Sequence, residues 1–318
     1  MSHNLNRVYE LSNRFMYRAK DYGLPVAIVS GILFYRYIAA LAGLVSYLII
    51  LMLFFTFVKL SIREVRITPV HLLILAIQIG LGLGSYFLLR LLPIENNRVL
   101  AEGAMMCFLC PVASASPVVV GILGGSVGVA TAYVLLGSLS ISIVGPTILG
   151  WLGERNESFF SSFLHIFQGV TPLVVIPLLL GLVVRRFMPR TRALIGRLPS
   201  AAFWVWVFTL SIVIATTVQF MVSKGASEIP VMLALGALSL VCCATQFAIG
   251  KWISRLFLHE PITAGQALAQ KNSTLGIWLI QTYLNPLASV ALAGYSIWQN
   301  LFNTLQLIAH SRSERRAQ

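Results

Sequence analysis

Two short stretches of this chain carry the residues that could do chemistry. The first to consider, 270–274, places five consecutive polar residues inside an apolar run. A lysine at bilayer depth costs about 2.5–3.5 kcal/mol on the insertion scale, and an ionisable residue there usually marks a substrate or ion pathway. Lys271 lies near the middle of its predicted span. A lysine that snorkels to the membrane surface is the alternative.

The second stretch is Cys-Pro-Val-Ala-Ser-Ala-Ser-Pro at 110–117. Each proline removes a backbone donor and clashes with the preceding turn, and the residue before it is pushed toward extended geometry. A helix that enters this stretch is therefore predicted to break, and a simple proline kink is the alternative. In hydrocarbon the freed backbone groups need partners, and Ser114 and Ser116 are the nearest polar side chains.

Lys271 has no evident carboxylate partner, because none of the ten acidic residues falls near the centre of a predicted span. A buried ammonium without a counter-charge either loses its proton or finds other acceptors. The candidate acceptors are backbone carbonyls at the C-terminal end of a half-helix, the amide oxygens of Gln78 or Gln246, and an anionic substrate.

Other chemistries find little support in the sequence. The CxxC at 107–110 lies in an apolar run without a second ligand pair, which favours small core residues over a metal or redox site. The histidines show neither metal-ligand spacing nor a catalytic constellation. We therefore predict a protein that is not an enzyme, with no cofactor, no metal site and no nucleic-acid partner. The five histidines are His3, His71, His165, His259 and His310.

The elements that must position these stretches are transmembrane helices. The 318 residues are 58% hydrophobic and 10% charged, whereas a soluble domain carries about 25% charged residues. Spans need about 20 mostly apolar residues, and the sequence predicts about ten in an all-α membrane protein. They lie near 24–39, 40–60, 68–92, 99–123, 127–151, 161–184, 200–222, 229–250, 261–282 and 285–309.

The charges fix a predicted orientation. With both termini inside, 17 of the 23 lysines and arginines fall on the inner side, five fall outside and Lys271 lies within a span, as the positive-inside rule requires. Residues 1–23 are basic and polar and are predicted to form a cytoplasmic amphipathic segment rather than a signal peptide. The transporter unit spans 24–311, and 312–318 is a basic cytoplasmic tail. A bacterial plasma (inner) membrane is the expected location.

A weak internal repeat links the two halves. The stretch from Gln78 to Pro93 resembles that from Gln246 to Pro261, and an interrupted apolar segment follows each copy. An odd number of spans separates the copies, so the second is inverted. We predict two inverted five-helix repeats, at about 24–151 and 161–309, with a transport site where the interrupted helices meet.

The chain resembles the bile acid:sodium symporter family from about residue 45 to 310. The resemblance implies a panel domain and a core domain, and broken fourth and ninth helices that cross at mid-membrane at the substrate site. Family members move bile acids and other organic anions, usually with two sodium ions. The matching motifs are Gln78, Cys110-Pro111, Ala115-Ser116, Asn272-Ser273, Leu275-Gly276, Asn285-Pro286-Leu287-Ala288 and Ser296-Ile297-Trp298-Gln299-Asn300.

The departures from the family pattern fall on the sodium ligands. The family's Ser-Asn pair is here Ser116-Pro117, and two fifth-helix hydroxyl positions map to Ala130 and Val134. In the ninth helix the family glutamate maps to Ala267, or to Gln266 if the register shifts by one. The family's glycine and glutamine in that helix become Ala269 and Lys271. Hard cations need several oxygen ligands, so the sequence argues against two bound sodium ions.

These points predict a secondary or facilitative transporter of an organic anion, either bile-acid-like or a small carboxylate. Lys271 would replace one sodium ion, transport would be sodium-independent or proton-linked, and Gln78, Gln270 and Gln266 would share the ion-coupling role. A conventional sodium-coupled symporter and a non-transporting receptor or scaffold are the alternatives. The partners are the lipid bilayer and the anion, and the sequence is compatible with a monomer. The predicted substrate residues are Ser114, Ala115, Ser116, Asn272, Ser273 and Asn300.

Overall fold

The computed structural model describes residues 23–59, 65–113, 115–152, 158–196, 201–224 and 226–317. Within these ranges the backbone is helical, and the one extended pairing is an isolated antiparallel bridge between Val112 and Lys271. The helices are α1 (Gly23–Leu33), α2 (Tyr35–Ile38), α3 (Val45–Lys59), α4 (Val70–Leu91), α5 (Asn97–Leu109), α6 (Ser116–Ile122), α7 (Val127–Leu152), α8 (Phe159–Phe187), α9 (Pro189–Gly196), α10 (Ala201–Lys224), α11 (Ile229–Phe257), α12 (Thr263–Ala269), α13 (Ser273–Tyr283) and α14 (Ser289–Ala317).

The described residues include five helical runs that are long and apolar enough to cross a membrane. Their composition confirms the prediction of an all-α protein with several membrane-length helices. A shorter apolar stretch, Val207–Phe220, lies within α10. The five runs are Tyr35–Val58, Val70–Leu91, Val127–Leu152, Phe159–Phe187 and Ile229–Phe257.

The predicted boundary between the first two spans, near residue 40, is not a turn. Tyr35–Val58 forms one run, in which the 3₁₀ segment Ala39–Leu44 joins α2 to α3. The flanking residues Ile38 and Val45 keep right-handed helical dihedral angles. The segment contains no proline, and Arg36 and Tyr37 do not break a helix by themselves. The structure therefore differs from the prediction here, and the ten-span count stays unconfirmed.

The chain divides into two compact units. Unit 1 comprises Met1–Lys59 and Ile176–Ser223, so its described part contains α1 to α3, the end of α8, α9 and most of α10. Unit 2 comprises Leu60–Val175 and Lys224–Gln318 and contains both interrupted helices.

Unit 2 contains the same order of elements twice. A long helix, a short helix, a break, a second short helix and another long helix follow one another in α4 to α7 and again in α11 to α14. This order agrees with the predicted internal repeat, whose inversion remains a prediction.

Local sequence signals explain where several of these helices begin and end. The helix α4 ends at Leu91, because Leu92 precedes Pro93 and adopts extended dihedral angles (φ −75°, ψ 135°). At the start of α12 the Glu260 carboxylate accepts hydrogen bonds from the backbone N–H groups of Ile262 at 2.6 Å and Thr263 at 3.0 Å. A carboxylate at this position satisfies N–H groups that a helix start leaves without partners.

Candidate functional site at the paired helix breaks

The two interrupted helices meet through their broken segments. The Ala113 N–H donates to the Gln270 carbonyl at 2.8 Å, and the Asn272 N–H donates to the Pro111 carbonyl at 2.8 Å. These two bonds form the antiparallel bridge between Val112 and Lys271. Each break therefore satisfies backbone groups that the other leaves free, which an apolar environment requires. The two broken segments thus pair in unit 2, and their crossing at mid-membrane remains a prediction.

The first break follows from Pro111. Cys110, the residue before it, has extended dihedral angles (φ −50°, ψ 136°), so α5 ends at Leu109. The second break contains no proline. Gln270 is extended (φ −80°, ψ 108°), and α13 restarts after Asn272, whose side-chain oxygen accepts the Leu275 N–H at 3.3 Å. Asparagine is a preferred N-cap residue for this reason.

The C-terminal end of α5 exposes carbonyls that side chains from other elements satisfy. The Gln78 amide of α4 donates to the carbonyls of Leu109 at 3.0 Å and Cys110 at 3.1 Å. The Gln246 amide of α11 donates to the Cys107 carbonyl at 3.1 Å. The Lys271 ammonium donates to the remaining one, the Phe108 carbonyl, at 2.7 Å.

Lys271 itself is buried, with 2% of its surface exposed. Its backbone N–H donates to the side-chain oxygen of Gln299 at 2.6 Å. Its ammonium meets a backbone carbonyl at a half-helix C-terminus, one of the acceptors that the sequence predicted, and such a terminus carries partial negative charge. Burial excludes the alternative of a lysine that snorkels to the surface.

The buried carboxylate of Glu102 in α5 does not contact this lysine. It pairs with the Arg98 guanidinium at 2.8 Å and accepts the Asn285 N–H at 2.9 Å. Glu102 is only 1% exposed, although it lies near the start of its predicted span rather than at the centre. Its charge is already matched by its own neighbour on α5.

Two tyrosines that the sequence analysis missed complete the site. The Tyr133 hydroxyl of α7 donates to the Gln78 side-chain oxygen at 2.6 Å. In the other half the Gln246 amide donates to the Tyr295 hydroxyl of α14 at 2.8 Å, and that hydroxyl donates to the Ala269 carbonyl at 2.7 Å. Of the candidate acceptors, the Lys271 ammonium donates to the Phe108 carbonyl, while the Gln78 oxygen accepts from Tyr133. Aligning the repeat beyond the two glutamines would have paired the tyrosines.

The other two glutamines of the predicted ion-coupling set bond to each other. The Gln270 amide donates to the Gln266 oxygen at 2.5 Å, and the Gln266 amide donates to the Gln306 oxygen at 3.4 Å. Both are buried, but their side chains engage α12 and α14 rather than Lys271.

Buried hydroxyls mark the starts of the two second half-helices. The side-chain oxygens of Ser116 in α6 and of Ser273 and Thr274 in α13 have no hydrogen-bond partner among the described residues. Buried polar atoms normally have partners, so such groups point to a ligand or water. Ala115 lies in the turn before α6, and Ser114 lies outside the described residues.

On α14 the residue that contacts the break is Gln299, and Asn300 bonds elsewhere. The Asn300 amide donates to the Ser296 carbonyl of its own helix at 2.7 Å. A shift of one residue turns a side chain by about 100° around a helix, so the two side chains face different neighbours. The substrate role predicted for Asn300 remains a prediction.

The cysteines pack as small core residues. All four are free and buried, and the Cys110 thiol donates to the Asn272 carbonyl at 3.0 Å. This contact also explains Gly276, where a Cβ would lie 2.7 Å from the Cys110 sulfur. Within the described ranges no group of three or more histidine, cysteine or acidic residues is arranged to hold a metal ion.

Membrane-length helices and two interrupted helices that pair through their breaks define a class, the secondary transporters with discontinuous helices. The chain belongs to the sodium bile acid symporter family, whose profile matches residues 46–224. Members of this family are membrane transporters and not enzymes. The matched range includes the first break and ends before the second.

One relative is an uncharacterized sodium-dependent transporter, YocS, of Bacillus subtilis (strain 168). It is 22% identical over 225 residues, which cover 69% of this chain and 67% of the relative.

Proposed function

We propose that this protein transports an organic anion, either bile-acid-like or a small carboxylate, by alternating access and without a sodium requirement. The observation that carries the proposal is the Lys271 ammonium, buried between the two breaks with a neutral carbonyl as its hydrogen-bond acceptor. A buried cation without a counter-ion is costly, and an anionic substrate would supply the missing charge.

The lysine makes the end of α5 unsuitable for a sodium ion. Two unit positive charges 4 Å apart repel each other by about 4 kcal/mol at an effective dielectric constant of 20. The ammonium and the Gln78 amide already occupy the carbonyls of Phe108, Leu109 and Cys110. These contacts support the proposal that the charge of Lys271 replaces one transported sodium ion.

Four positions that correspond to the family's other sodium ligands, with the glutamate placed at 267, also lack oxygen-bearing side chains. They are Pro117, Ala130, Val134 and Ala267, and all four are buried. Ser116 keeps its hydroxyl, and Gln266 would add an amide oxygen if the register shifts by one, so a sodium ion held there would have few side-chain ligands, whereas hard cations need several oxygen ligands.

The anion site that we propose lies at the start of α13. Ser273 and Thr274 offer buried hydroxyls without partners, and the N-terminus of a helix carries partial positive charge. Lys271 precedes them and has three N–H donors, of which one reaches Phe108. Asn272 caps this helix, and Ser116, Ala115, Ser114 and Asn300 remain proposed contributors from the other elements.

Coupling would follow from the charge state of Lys271. If the ammonium form binds the anion, proton and anion enter together, and uptake rises as the pH on the substrate side falls. If the amine stays charged throughout the cycle, the protein works as a uniporter or exchanger. Both modes operate without sodium.

Transport itself is tested with purified protein in proteoliposomes and two labelled probes, cholate and a small monocarboxylate such as pyruvate. We expect time-dependent accumulation of one probe, accelerated when the vesicles are preloaded with the same unlabelled anion. Label that binds the protein but never enters the lumen would overturn the transport proposal and favour a receptor. Protein-free liposomes measure passive leak.

A further inference from the structure

Unit 1 has an arginine-rich junction where α8 ends and α9 begins. Four arginines, Arg185, Arg186, Arg190 and Arg192, lie across the end of α8 and the start of α9. Helical hydrogen bonding continues through the junction, because the Met188 N–H donates to the Val184 carbonyl at 3.0 Å and the Arg192 N–H donates to the Met188 carbonyl at 2.9 Å. The junction is therefore an ordered helical turn.

An apolar anchor holds α9 in place. Ile195 packs with Val58 of α3 and Val184 of α8 in a buried cluster, and Phe54 and Phe55 pack against it. Because the far end of α9 is fixed in this way, the arginines at its start keep their position relative to the end of α8.

The part of unit 1 that the structure describes offers these arginines no negative charge. The described residues of unit 1 include no aspartate or glutamate. Arg192 lies close enough for its like charge to act on the Arg185 guanidinium. One guanidinium nitrogen of Arg185, Nη1, is buried and has no acceptor among the described residues. A buried charged donor without an acceptor is costly. An anion bound to Arg185 would remove this cost.

We propose that Arg185 and Arg192 together bind the phosphodiester group of an anionic phospholipid. A guanidinium matches phosphate oxygens with two parallel hydrogen bonds, and a phosphate between the two arginines would convert their repulsion into attraction. Basic clusters beside a transmembrane helix attract anionic lipids.

A lipid fits this site better than a free anion because of the apolar side chains around it. Phe187, Met188 and Leu194 are exposed in the same segment. An amphipathic helix that exposes both arginines and large apolar side chains is suited to the interface between headgroups and acyl chains. Arg186 is differently engaged, since its guanidinium lies over the Phe187 ring at 5.7 Å. Arg186 therefore provides a matched control.

The test is the thermal unfolding midpoint of the full chain in detergent, with phosphatidylglycerol, phosphatidylcholine or glycerol 3-phosphate added. We expect phosphatidylglycerol to raise the midpoint by several degrees and the other two probes to leave it unchanged. Arg185→Gln and Arg192→Gln should each weaken the apparent affinity for phosphatidylglycerol about tenfold, while Arg186→Gln keeps it.

Three outcomes would overturn the proposal. Equal losses in all three variants would indicate a general surface-charge effect, equal protection by glycerol 3-phosphate would indicate a free-phosphate site, and absence of protection by phosphatidylglycerol would exclude the lipid. Arg192 is exposed, so Arg192→Gln remains informative if Arg185→Gln fails to fold.

Discussion

The breaks at 110–115 and 270–272 have the same architecture and differ in charge. Pro111 interrupts the first break. The neutral amides of Gln78 and Gln246 donate to three carbonyls at the end of the helix before it, α5. The second break has no proline and contributes Lys271, whose ammonium donates to a fourth carbonyl at the end of α5, that of Phe108. The first broken helix thus provides carbonyl acceptors, and the second provides the positive charge that binds to one of them.

The largest effect should come from removing that cation. Lys271→Met leaves the Phe108 carbonyl without its donor and the anion without its counter-charge. Because hydrogen bonds to charged groups contribute about 1.5–3 kcal/mol, anion uptake should fall about 100-fold. The assay is uptake into proteoliposomes. Lys251→Met, which replaces a half-buried lysine of α11 in the same unit, should leave uptake near normal. A similar loss in both variants would remove the special role of Lys271.

A neutral amide at position 271 would make the second break as uncharged as the first. Lys271→Gln restores the family residue, but Ala267 still lacks the family carboxylate. Uptake should fall by about as much as in Lys271→Met, since both changes remove the charged hydrogen bond. Added sodium should not restore it, measured as uptake in sodium against choline buffer. Sodium-stimulated uptake in this variant would show that the other sodium ligands are still present.

Tyr133 and Tyr295 test whether the two halves contribute equally to the stability of the site. Tyr295→Phe removes two hydrogen bonds and leaves the Ala269 carbonyl unsatisfied, whereas Tyr133→Phe removes one bond to Gln78. The free energy of unfolding should fall by about 2 kcal/mol for Tyr295→Phe and about 1 kcal/mol for Tyr133→Phe. Chemical denaturation in detergent measures both. The reverse order would contradict the hydrogen-bond assignment.

The smallest effect on stability should come from the hydroxyls without partners. Ser273→Ala and Ser116→Ala lose no protein hydrogen bond, so each should change the free energy of unfolding by less than about 0.5 kcal/mol. Ser273→Ala should still raise the KM for the anion about tenfold. Ser116→Ala should raise it less, because α6 has seven residues and Pro117 has no N–H group to offer. An unchanged KM in both variants would contradict the proposed location of the anion site at the start of α13.

The breaks could be predicted from the sequence because their signals are local. Prolines disrupt a helix wherever they occur, and a lysine among polar neighbours in an apolar run is costly in any fold. A carbonyl was one of three candidate acceptors for Lys271, because the end of a broken helix must expose carbonyls.

The side-chain partners could not be predicted because they depend on how the helices rotate against one another. Tyr133 and Tyr295 belong to none of the motifs that the sequence offers. Gln299 lies in a family motif, but helix rotation decides that it, and not its neighbour Asn300, meets the break. The boundary near residue 40 was missed for another reason. Arg36 and Tyr37 interrupt the apolar pattern of the sequence, yet such residues do not stop a helix in a segment that contains no proline.

The central claim is that Lys271 replaces a sodium ion. The most direct test is anion uptake by the unaltered protein in proteoliposomes, with the sodium gradient and the pH gradient imposed separately. We predict the same uptake in sodium and in choline, with either no pH dependence, as for an exchanger, or faster uptake when the outside is more acidic. Uptake that requires sodium and ignores pH would contradict the account.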